Sequence, residues 1–192
     1  MPKQVDPEAQ KAEIRNAARR VFARQGIAST GLEHVARDAG MGRSSLYHYY
    51  PDKQTLLREL VAETLDAERA IFRHHLEAEG RALDRIDGLI DACVGLFDAW
   101  ASLGRFLLDL RQIETTRFRR FFRETRRDLA RVIEQGQADG ELDRALDAPM
   151  VASVLIGAID GLLVQHYFDR RALDPDRARA TLRQIARRTL AS

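Results

Sequence analysis

The stretch TGLEHVARDAGMGRSSLYHYYPDKQTLL, residues 30–57, decides how the whole chain is read. Thr30 and Glu33 have capping-box spacing, which predicts a short helix through Leu32, Val35, Ala36 and Ala39. Gly40 stops that helix, and Ala39-Gly40-Met41-Gly42 make a tight turn. A second short helix, Arg43 to Tyr50, is closed by Pro51, and Asp52 caps the next helix. Two short helices joined by a glycine turn, with the small Ala36 where they cross, have the shape of a helix-turn-helix. Such a unit presents its second helix to the major groove of duplex DNA. The outward residues of that helix suit the task. Arg43 can fork onto guanine or a phosphate, and Ser44, Ser45 and His48 can hydrogen-bond base edges or phosphates. Thr30, Tyr49 and Lys53 flank them, and with the free N–H groups opening the next helix they can grip the backbone.

Outward from this stretch, helical periodicity continues in both directions, and no segment alternates long enough to argue a sheet. Upstream, Asp6-Pro7-Glu8 opens a helix whose apolar face is Ile14, Ala17, Ala18, Val21 and Phe22, and Gly26 ends it. Downstream, a helix from Lys53 to the His74-His75 region turns Leu57, Leu60, Val61, Thr64, Leu65, Ile71 and Phe72 inward. The next carries Leu83, Ile86, Ile90, Cys93, Phe97 and Trp100 on one face. A short helix over Arg105 to Arg111 is followed by helices over Thr115 to Gln137, Pro149 to Phe168 and Pro175 to Leu190. Eight or nine helices and no strand make an all-α fold. The expected division is a three-helix helix-turn-helix head, residues 1–52, and a helical bundle, residues 53–192, for effector binding and dimerisation.

Composition narrows the function classes. Apolar residues make up 45% of the 192, enough to close a core, and the net charge is only +2. The charge is unevenly placed: residues 1 to 55 hold nine basic and six acidic side chains, whereas the remainder holds 22 and 23. Positive potential therefore gathers at the N-terminal end, as a DNA-reading head requires. One cysteine, Cys93, excludes an internal disulfide and a cysteine-based zinc site. His74 and His75 are neighbours on a helix and point about 100° apart, so they do not make a metal pair. No metal and no cofactor is expected. Neither a nucleophile elbow nor a Walker loop occurs, so the chain does not read as an enzyme. The start lacks the apolar stretch of a signal peptide, and the longest uncharged apolar run, Ala148 to Ile159, is too short to cross a bilayer. A cytoplasmic protein without a membrane partner is the expectation.

Across residues 10 to 57 the sequence resembles the tetracycline-repressor (TetR) family of transcriptional regulators. The resemblance rests on an apolar first helix ending at Gly26, then Thr30, then Val35-Ala36-x-x-Ala39-Gly40-Met41. It continues through Leu46-Tyr47-x-Tyr49-Tyr50 and Pro51-x-Lys53-x-x-Leu56-Leu57. Gly136-x-x-x-Gly140-Glu141-Leu142 and the two closing helices fit more generally, while Gly42 and Gly31 stand where the family has Ser or Thr caps. The resemblance implies phosphate contacts at Thr30, Tyr49 and Lys53. It places Arg43, Ser44, Ser45, Tyr47 and His48 on the base-reading and adjacent phosphate-contacting face.

The reading is a ligand-responsive, homodimeric repressor that binds a palindromic operator and is released by an unidentified small-molecule effector. Dimerisation is expected through the last two helices, whose apolar stripes exceed what one body can bury, with Gly157 and Gly161 permitting close approach. The expected effector site gathers Cys93, Phe97, Trp100, Phe118, Phe121, Phe122, Gln165, His166 and Tyr167, with Asp98 near enough to add a polar group. Core packing accounts for some of these aromatics, and an inert buried thiol is the plainer reading of Cys93. Two rival functions stay open: a ligand-binding or catalytic helical protein with a degenerate head, and a non-specific architectural DNA binder.

Overall fold

A computed structural model of the chain describes residues 6–100 and 115–191, which form eight helices. They are α1 (Pro7–Gln25), α2 (Leu32–Asp38), α3 (Arg43–Tyr49), α4 (Lys53–Leu76), α5 (Ala82–Gly95), α6 (Thr115–Ala138), α7 (Ala148–Phe168) and α8 (Pro175–Leu190). No strand occurs among the described residues; Leu142 and Ala191 make one isolated antiparallel bridge. The helix expected over Arg105 to Arg111 lies outside the described residues. The described residues divide into two compact units, residues 6–64 and residues 65–100 with 115–191. The division falls inside α4, after Thr64, so the first half of that helix belongs to the N-terminal unit.

In the N-terminal unit, Asp6 caps α1 by accepting the Glu8 N–H at 3.0 Å, and Pro7 occupies the first turn. Ile14, Ala17, Ala18, Val21 and Phe22 are buried, as their spacing requires. The start of α2 differs from the expected capping box. Gly31 is the N-cap, and His34 Nδ1 accepts the Gly31 N–H at 3.1 Å. Thr30 has turned its hydroxyl back onto the Gly26 carbonyl at 2.7 Å, which leaves it unable to cap. Gly40, at φ +64°, lets the chain reverse between α2 and α3 while the Met41 N–H returns to Ala36 O at 3.0 Å. Asp52 caps α4 through the Thr55 N–H at 2.6 Å.

Polar pairs fix how these helices cross. Asp38 on α2 receives Arg20 and Arg24 from α1, and their hydrogen bonds hold its carboxyl below the usual range. Tyr50, fully buried at the end of α3, donates its hydroxyl to Glu59 on α4 at 2.6 Å. Arg15 of α1 donates to both, at 3.3 Å each. Burial, with Glu59 accepting its proton, pushes the Tyr50 phenol up.

The C-terminal unit is held by a ladder of ions between α5 and α8. Asp87, 2% exposed, accepts from Arg187 Nε at 2.7 Å and lies 3.1 Å from Arg183 Nε. Arg187 also reaches Asp84 at 2.7 Å, and Arg183 reaches Asp91 at 3.3 Å. Asp87→Ala strips the centre of this ladder and is expected to cost about 1.5–3 kcal/mol, the range for hydrogen bonds to charged groups, read by urea denaturation. The Gly136 motif has a local cause. A Cβ at Gly136 would stand 2.6 Å from that of Ala82, and Glu141 reaches across to accept the Ala82 N–H at 2.7 Å and so cap α5.

Two readings of the apolar surface change. Ile71, expected inward, is 39% exposed. Among the described residues α7 is long and apolar enough to cross a membrane, because the helix continues past Asp160 to Phe168, well beyond the uncharged run that ends at Ile159. Met150, Val154, Val164 and Phe168 on α7 and Ile185 on α8 are all exposed. Beyond their own helix, a Cβ built at Gly157 or Gly161 meets no heavy atom of the described residues within 4 Å. Both glycines lie instead along an open groove with Leu162, Leu182 and Ile185.

Candidate functional site

On α3 only Leu46 is buried, and Tyr50 just beyond it; this pair anchors the helix and fixes which side faces out. Arg43, Ser44, Ser45, Tyr47 and His48 are exposed, and Tyr49 is half-buried with its ring edge-on to His48. The Arg43 guanidinium lies 5.5 Å from the Tyr47 ring centroid, a cation–π contact on the exposed face of the helix. The five exposed residues form one polar face of hydrogen-bond donors and acceptors, the chemistry of base-edge and phosphate contact.

The flanking residues behave differently from one another. Thr30, expected on phosphate, is 2% exposed and has spent its hydroxyl on Gly26 O. In this structure it holds the α1–α2 loop and does not present a phosphate contact. Lys53 is half-buried and donates one of its three N–H groups to Ile27 O, and burial pulls its ammonium below the usual lysine value. Its other two donors remain for a phosphate.

A cavity in the C-terminal unit is walled by Phe72, Phe97, Trp100, Phe121 and Phe122, with Cys93 beside them. Of the nine residues expected at an effector site, these are the five brought together: Cys93, Phe97, Trp100, Phe121 and Phe122. The other four do not line it. Ile156, Ile159, Asp160 and Leu163 set the stripe of α7 that faces the cavity. Two residues beyond Leu163, Gln165 has rotated about 200° away and lies on the exposed α7–α8 groove. His166 is buried behind the wall, its ring tilted against that of Phe97 with centroids 5.9 Å apart, and its Nε2 lies 3.1 Å from Asp98 Oδ1. Tyr167 and Phe118 stand one turn past the ends of the cavity, Tyr167 against Phe168.

The polar groups inside are ones the sequence reading missed: Glu68, Thr125 and Asp160. Each occupies an apolar register position, Glu68 between Leu65 and Phe72, Thr125 between Phe121 and Leu129, and Asp160 beside Ile156 and Leu163. A polar residue on a buried stripe was the available signal. Glu68 is 9% exposed and takes the Trp100 indole N–H. Burial, with the Asp160 charge adding and the indole opposing, pushes its carboxyl up to about 8; burial raises Asp160 to about 6 and Cys93 further still. Thr125 Oγ1 is buried with no hydrogen-bond partner among the described residues. Among the described residues no Lys, Arg or His lines the cavity. The centre of a water-sized sphere can reach about 40 Å³ of it, room for a few waters.

Comparison with known proteins places this arrangement. Residues 14–60 match the family model of bacterial regulatory proteins, tetR family, and residues 114–191 match that of the BetI-type transcriptional repressor C-terminal region. The HTH-type transcriptional regulator BetI of Vibrio campbellii is 23% identical, covering 95% of this chain and 92% of its own. A transcriptional regulator from Saccharomonospora viridis, solved in complex with choline, superposes with a TM-score of 0.81 at 21% identity, covering 97% of this chain and 100% of that one. A TetR transcription regulator from Haloarcula marismortui gives 0.82 at 24%, covering 95% and 99%. At these identities the structural likeness shows the fold. With both family models matched, one over the head and one over the body, the chain belongs to the tetR family of bacterial regulatory proteins.

Proposed function

We propose that this protein is a dimeric repressor that leaves its operator when a small organic cation enters the body cavity and spreads its walls, which as they stand leave room for a few waters. The observation that carries the effector class is the pair Glu68, buried, and Asp160, half-buried, two carboxyls among aromatic walls with no Lys, Arg or His among the described residues lining the cavity. Aromatic faces attract ammonium groups and carboxylates neutralise them, a combination suited to quaternary ammonium compounds. Choline in the Saccharomonospora relative supports this class. The exposed polar face of α3 argues against a degenerate head, and the cavity argues against a purely architectural binder.

Two heads on a palindrome would place their α3 helices in successive major grooves roughly 34–36 Å apart. The second copy would cover the α7–α8 groove, where Met150, Val154 and Ile185 are exposed beside the two open glycines. Lipid is the poorer occupant of that face, since Asp160 would sit mid-helix in the bilayer. Such a regulator acts in the cytoplasm, where its DNA is.

Choline and tetramethylammonium titrated into the full chain test the effector class. Trp100, the only tryptophan, should change emission with either ligand and not with a neutral isostere such as 3,3-dimethylbutanol. Equal responses to cation and isostere would leave only an apolar pocket. On DNA, Arg43→Ala should cost about 1–3 kcal/mol and relax preference at one base pair per half-site, while Lys53→Ala should weaken all sequences alike and lower the salt slope by about one per head. Binding curves on the operator and its single-base variants separate the two.

A further inference from the structure

We propose that Glu68 is the group that reads the effector's charge, and that it releases a proton to solvent for each cation bound. The inference rests on the cation reading above. Glu68 lies nine-tenths buried on the wall of the cavity, and none of the described residues lining it is basic. Its hydrogen-bond donor is a neutral indole, that of Trp100. The second carboxyl, Asp160, shares the same small space. Two carboxylates ionised together in an apolar cavity repel each other, and Glu68 has lost nearly all its water. The empty cavity therefore keeps a proton at Glu68 near neutral pH, in keeping with a carboxyl raised to about 8.

The other groups facing the cavity do not replace it in this role. Cys93 on α5 is a thiol that burial keeps protonated. The α6 wall contributes Thr125 and two phenylalanines, and Glu124 beside them is paired with Arg69 and Arg120. Asp160 on α7, raised only to about 6, is already ionised at neutral pH. A positive charge lodged about 4–5 Å from Glu68 draws its midpoint down by roughly two pH units or more at an effective protein dielectric. The carboxylic acid then becomes a carboxylate paired with the ammonium, and its proton passes to buffer. Charge and protons balance: one cation enters and close to one proton leaves. Loss of that proton also removes the donor state of Glu68 and changes what the Trp100 indole meets, so the event should register in its emission. The repressor would thereby respond to cation and pH together.

Calorimetry of choline binding to the full chain tests this, run at pH 7.0 in phosphate and in Tris, whose ionisation enthalpies differ widely. The expected result is 0.5–1 proton released per choline, on the order set by a midpoint falling from above to below the working pH. Affinity should rise by up to tenfold per pH unit between pH 6.5 and 7.5 and level off above 8. Glu68→Gln should abolish the release and flatten the profile while Asp160→Asn retains it. Choline binding with no proton release and a flat profile in the unaltered protein overturns the role of Glu68 and leaves the cation reading intact. No binding of choline or tetramethylammonium at pH 8.5 overturns both.

Discussion

Gly161→Arg is expected to convert the protein to monomers and to cost at least 100-fold in affinity for a palindromic operator. Within the protomer the substitution is accommodated: Gly161 has negative φ, and a Cβ there meets nothing within 4 Å. The arginine can lie along the open groove beside Leu162 and Ile185, so the helix and its packing survive. Against a second copy the same side chain brings a buried, unpaired charge into an apolar contact, which strongly destabilises an interface. The operator penalty arises from linkage between the heads. Two heads on one dimer bind a palindrome with an effective concentration that raises avidity by about 10²–10⁴ over a single head, and a monomer forfeits it. Sedimentation velocity and operator titration measured together decide the matter. A variant that stays dimeric and binds normally would move the interface off α7 and α8.

Glu68→Gln is expected to stabilise the unliganded protein at alkaline pH by an amount on the order of 4 kcal/mol. In the folded chain the carboxyl titrates at about 8, far above the ordinary glutamate value. A group whose folded pKa is raised lends its full stability below the unfolded pKa, and that stability is lost as pH rises through the folded one. Between about pH 4.5 and 8 the unaltered protein should therefore weaken steadily, as the unfolded state releases a proton that the folded state retains. Asp160, raised to about 6, adds a smaller contribution of the same sign that is complete earlier. Glutamine occupies the same space and never ionises, so its curve should be nearly level from Glu68's contribution, and the variants should converge near pH 5. Urea denaturation at pH 5, 6.5 and 8.5 reads this directly. An equal loss for both proteins across that range would mean the cavity already solvates the ionised carboxylate.

The head was the more legible half of the chain. Its elements are short and punctuated by Gly26, Gly40 and Pro51, so the helix pattern turned Arg43, Ser44, Ser45 and His48 outward and the family resemblance added Tyr47; the structure exposes all five and buries Leu46 and Tyr50. Thr30 was misjudged because a hydroxyl four residues after Gly26 has a second choice, the free carbonyls ending α1, and takes it. In the body, sequence separation hid the cavity. Glu68, Thr125 and Asp160 come from three helices, and nothing local says that their faces converge. Proximity in sequence to the aromatics favoured Asp98, Gln165 and His166 as the polar groups. The rotation of α7 turns Gln165 outward and leaves His166 with Asp98 behind Phe97. Periodicity finds which face of a helix is buried; it does not say which buried faces meet around a space.

Occupancy of this cavity is proposed to control the head through α4, which carries Lys53 at one end and Glu68 and Phe72 toward the other. The most direct test of that coupling is a single titration at pH 8. Choline is added to the full chain bound to a fluorescein-labelled duplex that the purified protein has selected from a random pool. Trp100 emission and duplex anisotropy are read from the same samples. Near-complete release requires the cation to favour the free conformation by roughly 10⁴-fold. The expected result is that both signals move over one concentration range, with anisotropy falling to that of free duplex, and that Asp160→Asn shifts both curves together to higher choline. Trp100 reporting a filled cavity while the duplex stays bound would contradict the coupling.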